Sequence, residues 1–218
     1  MNAKESAQVA RRKKIWSAIG PVLLRKYKRT ATFLDHRNEW ELLVAVILSA
    51  QMTDEGVNKI TPGLFAKYPT PEALARAPLA TIEKLIGGVN YFRVKSVYIK
   101  KTAQIVVNNY QGKVPDTLED LITFPGVGRK TAVAVLANGF KKFVGIPVDT
   151  HVIRFARRFA LSTHTDAGKI EQDLLTVIPQ SKWNAAGYAI KEYGRKEGRA
   201  RGYQKDADPL WHAFKKGV

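Results

Sequence analysis

At 218 residues the chain is long enough for one large domain or two small ones, and its 45% hydrophobic content separates it from disordered proteins. Lys and Arg number 36 against 19 Asp and Glu, a net charge of +17 spread along the whole chain, which points to a nucleic-acid partner rather than to a membrane-surface helix. The absence of cysteine excludes disulfides, thiolate metal sites, iron–sulfur ligation and cysteine nucleophiles, and the dispersed His36, His151, His164 and His212 argue against zinc.

Residues 1–14 are polar and close on Arg11-Arg12-Lys13-Lys14, the basic start of a helix or a DNA-contacting arm. Ile15, Trp16, Ile19, Val22 and Leu23 follow at helical spacing, with a break expected at Gly20-Pro21 and a second basic cluster at 25–29. Glu39 to Ser49 is apolar on nearly every side, and its Leu and Ala content favours a buried helix over a buried strand. The run from Leu42 to Leu48 falls far short of the ~20 residues that cross a bilayer, and the basic N-terminus lacks an apolar segment after it. A soluble, cytoplasmic, monomeric protein is therefore expected.

Thr70-Pro71-Glu72 supplies a cap, a proline at the first helical position and an acid in the first turn. Thr81 is expected to open a short helix that ends at Gly87-Gly88, and Asn90-Tyr91-Phe92-Arg93 to turn into a longer one through Lys95, Ile99 and Val106. Thr117-Leu118-Glu119-Asp120 is a capping signal that leads into Phe124-Pro125-Gly126-Val127-Gly128-Arg129-Lys130-Thr131-Ala132. There two glycines allow positive φ and close approach of a ligand, and the next helix offers its first N–H groups as an anion site. Asp149 precedes Val152, Phe155, Ala156 and Phe159, an amphipathic series, and Thr165-Asp166 opens another helix through Ile170, Leu174 and Ile178. No strand is predicted, so the chain reads as all-α, with no internal repeat.

Three segments together carry a resemblance: Leu48 to Asp54 (LSAQMTD), Phe124 to Ala132 (FPGVGRKTA), and Val148 to Arg154 (VDTHVIR). In this order, over roughly residues 38–195, they resemble the helix-hairpin-helix DNA glycosylases, and among them endonuclease III. The resemblance implies two helical lobes with a DNA-binding cleft between them. Residues 35–145 would form the central lobe, with the helix-hairpin-helix at about 117–138, and residues 1–34 would join 146–218 in the second. It also implies an enzyme that removes oxidised pyrimidines from duplex DNA and nicks the abasic strand, with Lys130 as nucleophile and Asp149 as essential carboxylate. A lysine attacking the sugar C1′ forms a Schiff base that permits β-elimination of the 3′ phosphate. A carboxylate beside it can accept a proton or stabilise positive charge on the sugar. Asp149 is equally readable as the cap of the helix after it, and Lys130 as a solvated helix residue.

Base removal requires extrusion from the duplex. The family pattern puts Gln51 where it can bond the orphaned partner base and Tyr91 where it can wedge into the stack; Tyr91 departs from the more usual aliphatic wedge and is equally readable as a core aromatic. Gly126, Val127, Gly128, Arg129, Thr131 and His151 complete the implied DNA contacts, and a monovalent cation at the hairpin is compatible with the pattern. The main departure lies at the C-terminus. Endonuclease III usually holds an iron–sulfur cluster with cysteines spaced C-x6-C-x2-C-x5-C, and here Gly198, Lys205, Asp208 and Phe214 occupy that spacing. No cluster and no other metal is expected. The basic tail, with Arg199, Arg201, Lys205, Lys215 and Lys216 and the aromatics Tyr203, Trp211 and Phe214, is expected either to hold DNA backbone by charge and packing or to fray. A mismatch-specific (G·T or adenine) glycosylase of the same fold, or a non-catalytic helix-hairpin-helix DNA-binding protein, are the alternative readings.

Overall fold

A computed structural model of the chain describes residues 3–217, and the side chains from residue 5 onward. Among the described residues there are helices and no strand. They fall into two compact units, one spanning Thr32–Val144 and the other combining the N-terminal stretch up to Ala31 with the chain from Gly145 onward.

The Thr32–Val144 unit contains α2 (Glu39–Leu48), α3 (Asp54–Lys67), α4 (Pro71–Arg76), α5 (Leu79–Leu85), α6 (Phe92–Tyr110), α7 (Leu118–Leu121) and α8 (Arg129–Gly139), numbered after the N-terminal helix α1 (Ala3–Lys26) of the other unit. Side-chain caps decide where most of these begin. The Asn38 Oδ1 accepts from the Glu41 N–H, and the Thr53, Thr70 and Thr117 hydroxyls accept from the N–H groups of Gly56, Ala73 and Asp120. Helix α5 instead starts at Leu79, ahead of the predicted Thr81, because Pro78 with φ −60 already has the torsion that an entry to a helix needs. Helix α2 is buried along Leu42–Ala45, Ile47 and Leu48, which is why its sequence shows no polar face. It packs against α3, α6 and α8, and the core is completed by Leu64, Ile82, Ile99, Leu121, Phe124 and Leu136.

The second unit is built from α1 with α9 (Thr150–Arg158), α10 (Ala167–Val177), α11 (Trp183–Lys196) and α12 (Pro209–Gly217). Helix α1 runs unbroken through Pro21. A proline inside a helix costs ~3 kcal/mol, but burial of Ile15, Ile19 and Leu23 at full depth opposes it with about 1.5–3 kcal/mol each. Gly20 has a separate reason: a Cβ there would stand 2.7 Å from the Trp16 ring. Within the basic run, Arg12 is buried and pairs with Asp173 at 2.6 Å, so it anchors α1 to α10. Arg11, Lys13 and Lys14 stay exposed. The tail does not fray: α12 packs along α1, and α11 along α1 and α9.

Candidate DNA-binding and catalytic site

The hairpin between α7 and α8 is held from three sides. The Val127 N–H donates to the Phe124 carbonyl (3.0 Å) and the Phe124 N–H to the Leu121 carbonyl (3.2 Å), closing the turn on itself. The Phe124 ring meets the Tyr110 ring edge to face at 5.9 Å, and the Tyr110 hydroxyl donates to Asp120 at 3.0 Å. Gly126 takes φ +76 with the Tyr98 ring of α6 beneath it, so a Cβ there would come within 2.6 Å of that ring. Here glycine is required twice, for the torsion and for the space. Gly128 differs from expectation: its φ is −88, and a Cβ at that position would meet nothing within 4 Å. It serves as the cap of α8, where its lack of a side chain keeps the helix start open.

That start is the feature of the hairpin that can receive a ligand. Unlike α2, α3 and α4, helix α8 has no side-chain cap, and its first intrahelical bond is Ala132 N–H to the Gly128 carbonyl at 3.0 Å. The N–H groups of its first turn point beyond the helix, the geometry that receives a phosphate. Gly126, Gly128, Arg129 and Lys130 are exposed, and Thr131 is half-buried. Val127 lies the other way, with its side chain in the core and its N–H spent within the turn. It shapes the hairpin from within.

Two further loops of the same unit carry Gln51 and Tyr91. Both residues are exposed and both adopt left-handed torsions, φ 56 and φ 59. Tyr91 is 65% exposed, so it is not a core aromatic. The Asn90 side chain donates to the Gln51 carbonyl at 2.7 Å, tying the two loops together.

Asp149 and His151 stand at the start of α9 in the other unit. One carboxylate oxygen of Asp149, Oδ1, accepts from the N–H groups of His151 (2.8 Å) and Val152 (3.0 Å). Oδ2 stays outside the cap, so this residue is rigidly held with an oxygen to spare. Burial pushes the His151 imidazole below its usual pKa, with Asp149 opposing and Arg154 assisting the shift. Its ring occupies the space left by Gly194 of α11, where a Cβ would lie 2.8 Å from the His151 Cβ.

The four positions at the cluster spacing do not fit an iron–sulfur group. A Cβ at position 198 would lie 2.7 Å from Cδ1 of Tyr193, so that ring fills the place of a ligand side chain. The Lys205 ammonium sits 4.1 Å from the Trp211 ring centroid, and Phe214 packs on Trp211 and Phe159 at 5.1 and 5.7 Å. Asp208 is the hub: Tyr193 and Tyr203 each donate a hydroxyl to its Oδ2 at 2.6 Å, and Oδ1 accepts from the Leu210 N–H at 2.9 Å, capping α12. Arg158 donates to the Tyr193 hydroxyl at 3.0 Å and lies 3.6 Å above the Tyr203 ring. Burial, reinforced by Asp208, raises both tyrosine pKa values, that of Tyr203 to about 12. None of these groups supplies a soft ligand for iron. No group of three or more His, Cys, Asp and Glu among the described residues is arranged to hold a metal ion. This network escapes a motif reading, although Asp208-Pro209 is a legible cap and first helical proline that announces α12.

No described helix is long and apolar enough to cross a membrane. Residues 44–180 match the model of the HhH-GPD superfamily base excision DNA repair proteins. Endonuclease III of Synechocystis sp. is 44% identical over 174 residues, 80% of each chain, and endonuclease III of Bacillus subtilis is 35% identical over 188 residues, 84% of each. Among solved structures, a trapped covalent intermediate of endonuclease III with DNA, an estranged-adenine complex, superposes with a TM-score of 0.87 at 35% identity, covering 94% of this chain and 97% of that one. The uncapped hairpin helix, its lysine and the capped aspartate thus sit in a chain that belongs to the HhH-GPD superfamily of base excision DNA repair proteins and, within it, to the endonuclease III family.

Proposed function

We propose that the chain is a bifunctional base excision repair enzyme, a DNA glycosylase and abasic-site lyase acting on oxidised pyrimidines in duplex DNA. The observation that carries this reading is the exposed Lys130 in the first turn of α8, next to helix N–H groups that no side chain caps. A DNA phosphate received by those groups brings the neighbouring sugar to the lysine. The neutral Lys130 amine attacks C1′, the C1′–N bond breaks, and the damaged base leaves with the bonding pair. Once the nitrogen has shed a proton, its lone pair opens the sugar ring, the C1′–O4′ bond breaking and O4′ taking up a proton, to leave a protonated Schiff base; this acidifies C2′, and loss of that proton drives cleavage of the C3′–O bond, so that the 3′ phosphate departs. Water then hydrolyses the imine and returns the lysine. Asp149 accepts the proton that the lysine nitrogen gives up or stabilises charge on the sugar through Oδ2, while Oδ1 is held by the cap of α9.

Gln51 and Tyr91 fill the gap left by the extruded nucleotide, and Arg129, Thr131 and His151 add backbone contacts around it. Because binding rests on phosphates, affinity falls steeply with salt. The covalent character of the related endonuclease III–DNA intermediate supports a trappable imine here. The test is borohydride reduction on an abasic duplex. The native chain is expected to yield a covalent adduct and Lys130→Ala none; an adduct that persists in Lys130→Ala removes the lysine from its role. Duplexes carrying thymine glycol, G·T and A·G, run side by side, decide the lesion: faster excision of thymine glycol is expected, and preference for either mismatch overturns the substrate class.

A further inference from the structure

Lys95 lies on α6, buried at 5% exposure, and its ammonium is spent on main-chain oxygens. Its Nζ donates to the carbonyl oxygens of Leu48 (2.8 Å) and Ala50 (2.6 Å). Leu48 ends α2, and Ala50 immediately precedes Gln51. The lysine therefore closes the negative end of α2 and pulls the following turn down onto α6. On the loop that enters α6, Asn90 donates to the Gln51 carbonyl at 2.7 Å. Between the two donors stands Tyr91, whose own carbonyl accepts from the Lys95 N–H at 3.0 Å. Both exposed tips, Gln51 and Tyr91, occupy left-handed torsions that a non-glycine residue holds only when its surroundings enforce them.

Resting on the proposed function, the geometry points to Lys95 and Asn90 as positioning residues that lock the Gln51 and Tyr91 loops into one two-pronged element for insertion into a duplex at an extruded nucleotide. Neither touches the DNA. A buried ammonium is costly unless its donors are used, and here they are used on the backbone of the inserting loop. Desolvation lowers the Lys95 pKa, which agrees with an ammonium kept away from water. Insertion needs this rigidity, since two prongs that move independently must be ordered at the moment of binding, and that ordering weakens the distorted complex relative to the undistorted one.

The test separates insertion from binding and from chemistry. The native chain, Lys95→Met and Asn90→Ala are saturated with a duplex that holds a tetrahydrofuran abasic analogue opposite 2-aminopurine. Anisotropy reports affinity, and 2-aminopurine fluorescence reports unstacking of the base opposite the gap. The native chain is expected to raise the fluorescence. Each variant, bound with affinity within about threefold of native because the phosphate contacts remain, is expected to give less than about a third of that rise. Excision of a damaged base from duplex DNA should fall ~10- to 100-fold in the variants, the scale set by small misplacements of positioning groups. A full fluorescence rise in both variants overturns the proposal. Asn90 is exposed and its replacement does not threaten the core, so the result with Asn90→Ala stands even where Lys95→Met melts early. Failure of the enzymatic reading shows itself elsewhere, as a native chain that forms no borohydride adduct, and leaves the fluorescence result readable.

Discussion

Replacing Asp208 by alanine removes three hydrogen bonds at once from a residue only 2% exposed. Loss of the cap on α12 costs about 1 kcal/mol. The Tyr193 hydroxyl is buried; it keeps Arg158 as a donor but loses the carboxylate that takes its proton, which costs roughly 1–3 kcal/mol. Tyr203 is half-buried and can turn toward water, so its share is smaller, about 0.5–1 kcal/mol. A destabilisation of about 2.5–5 kcal/mol follows, and at 2–4 °C per kcal/mol for a chain of this size the melting temperature should fall by roughly 5–20 °C. Calorimetric or circular-dichroism melting measures it, with Tyr203→Phe as a milder reference expected to lose about 1 kcal/mol. An Asp208→Ala protein that melts within about 2 °C of native would show that packing of Phe159, Trp211 and Phe214 holds the C-terminal segment without the polar hub.

Further expectations concern the hairpin, α9 and the basic tail. Gly126→Ala must accept a left-handed torsion and displace the Tyr98 ring, about 1–2 kcal/mol from the torsion alone, so it should weaken duplex binding in a filter or anisotropy assay; Gly128→Ala, with negative φ and open space, should fold normally. The lowered His151 pKa means that the unfolded chain takes up a proton before the folded one as pH falls through the ordinary histidine range near ~6.5. Stability contributed by this group is therefore present above that range and declines below it, and the melting temperature of His151→Asn should depend less on pH between about 5 and 7 than that of native protein. Because α12 packs on α1, the tail is best probed by point changes: Arg199→Ala and Arg201→Ala together should lower the slope of log affinity against log salt by about 1–2 if both guanidinium groups meet phosphates, and an unchanged slope assigns the tail a structural role only.

Much of the helical order is legible in the sequence for local reasons. Asn38, Thr53, Thr70, Thr117, Asp149 and Asp166 are short-range devices, each bonding an N–H two or three residues ahead, so their identity and spacing suffice to place a helix start. The glycine turn is legible for the same reason, and with Lys130 and Asp149 it carries the family. What escapes are choices made by distant residues. Pro21 reads as a break, yet α11 and α12 pack on α1 and hold it as one helix. Gly126 needs its positive φ, whereas Gly128 does not, a distinction that rests on the Tyr98 ring of another helix. Lys95, one cation among 36, becomes a clamp only because α6 brings it under the end of α2. The sequence by itself determined most of the helix starts in the Thr32–Val144 unit, several caps and the family residues, all of which are local or linear patterns. Only the tertiary structure decided which charges are buried and what stands at the cysteine-less C-terminus, since both depend on side chains far apart in the chain meeting in space.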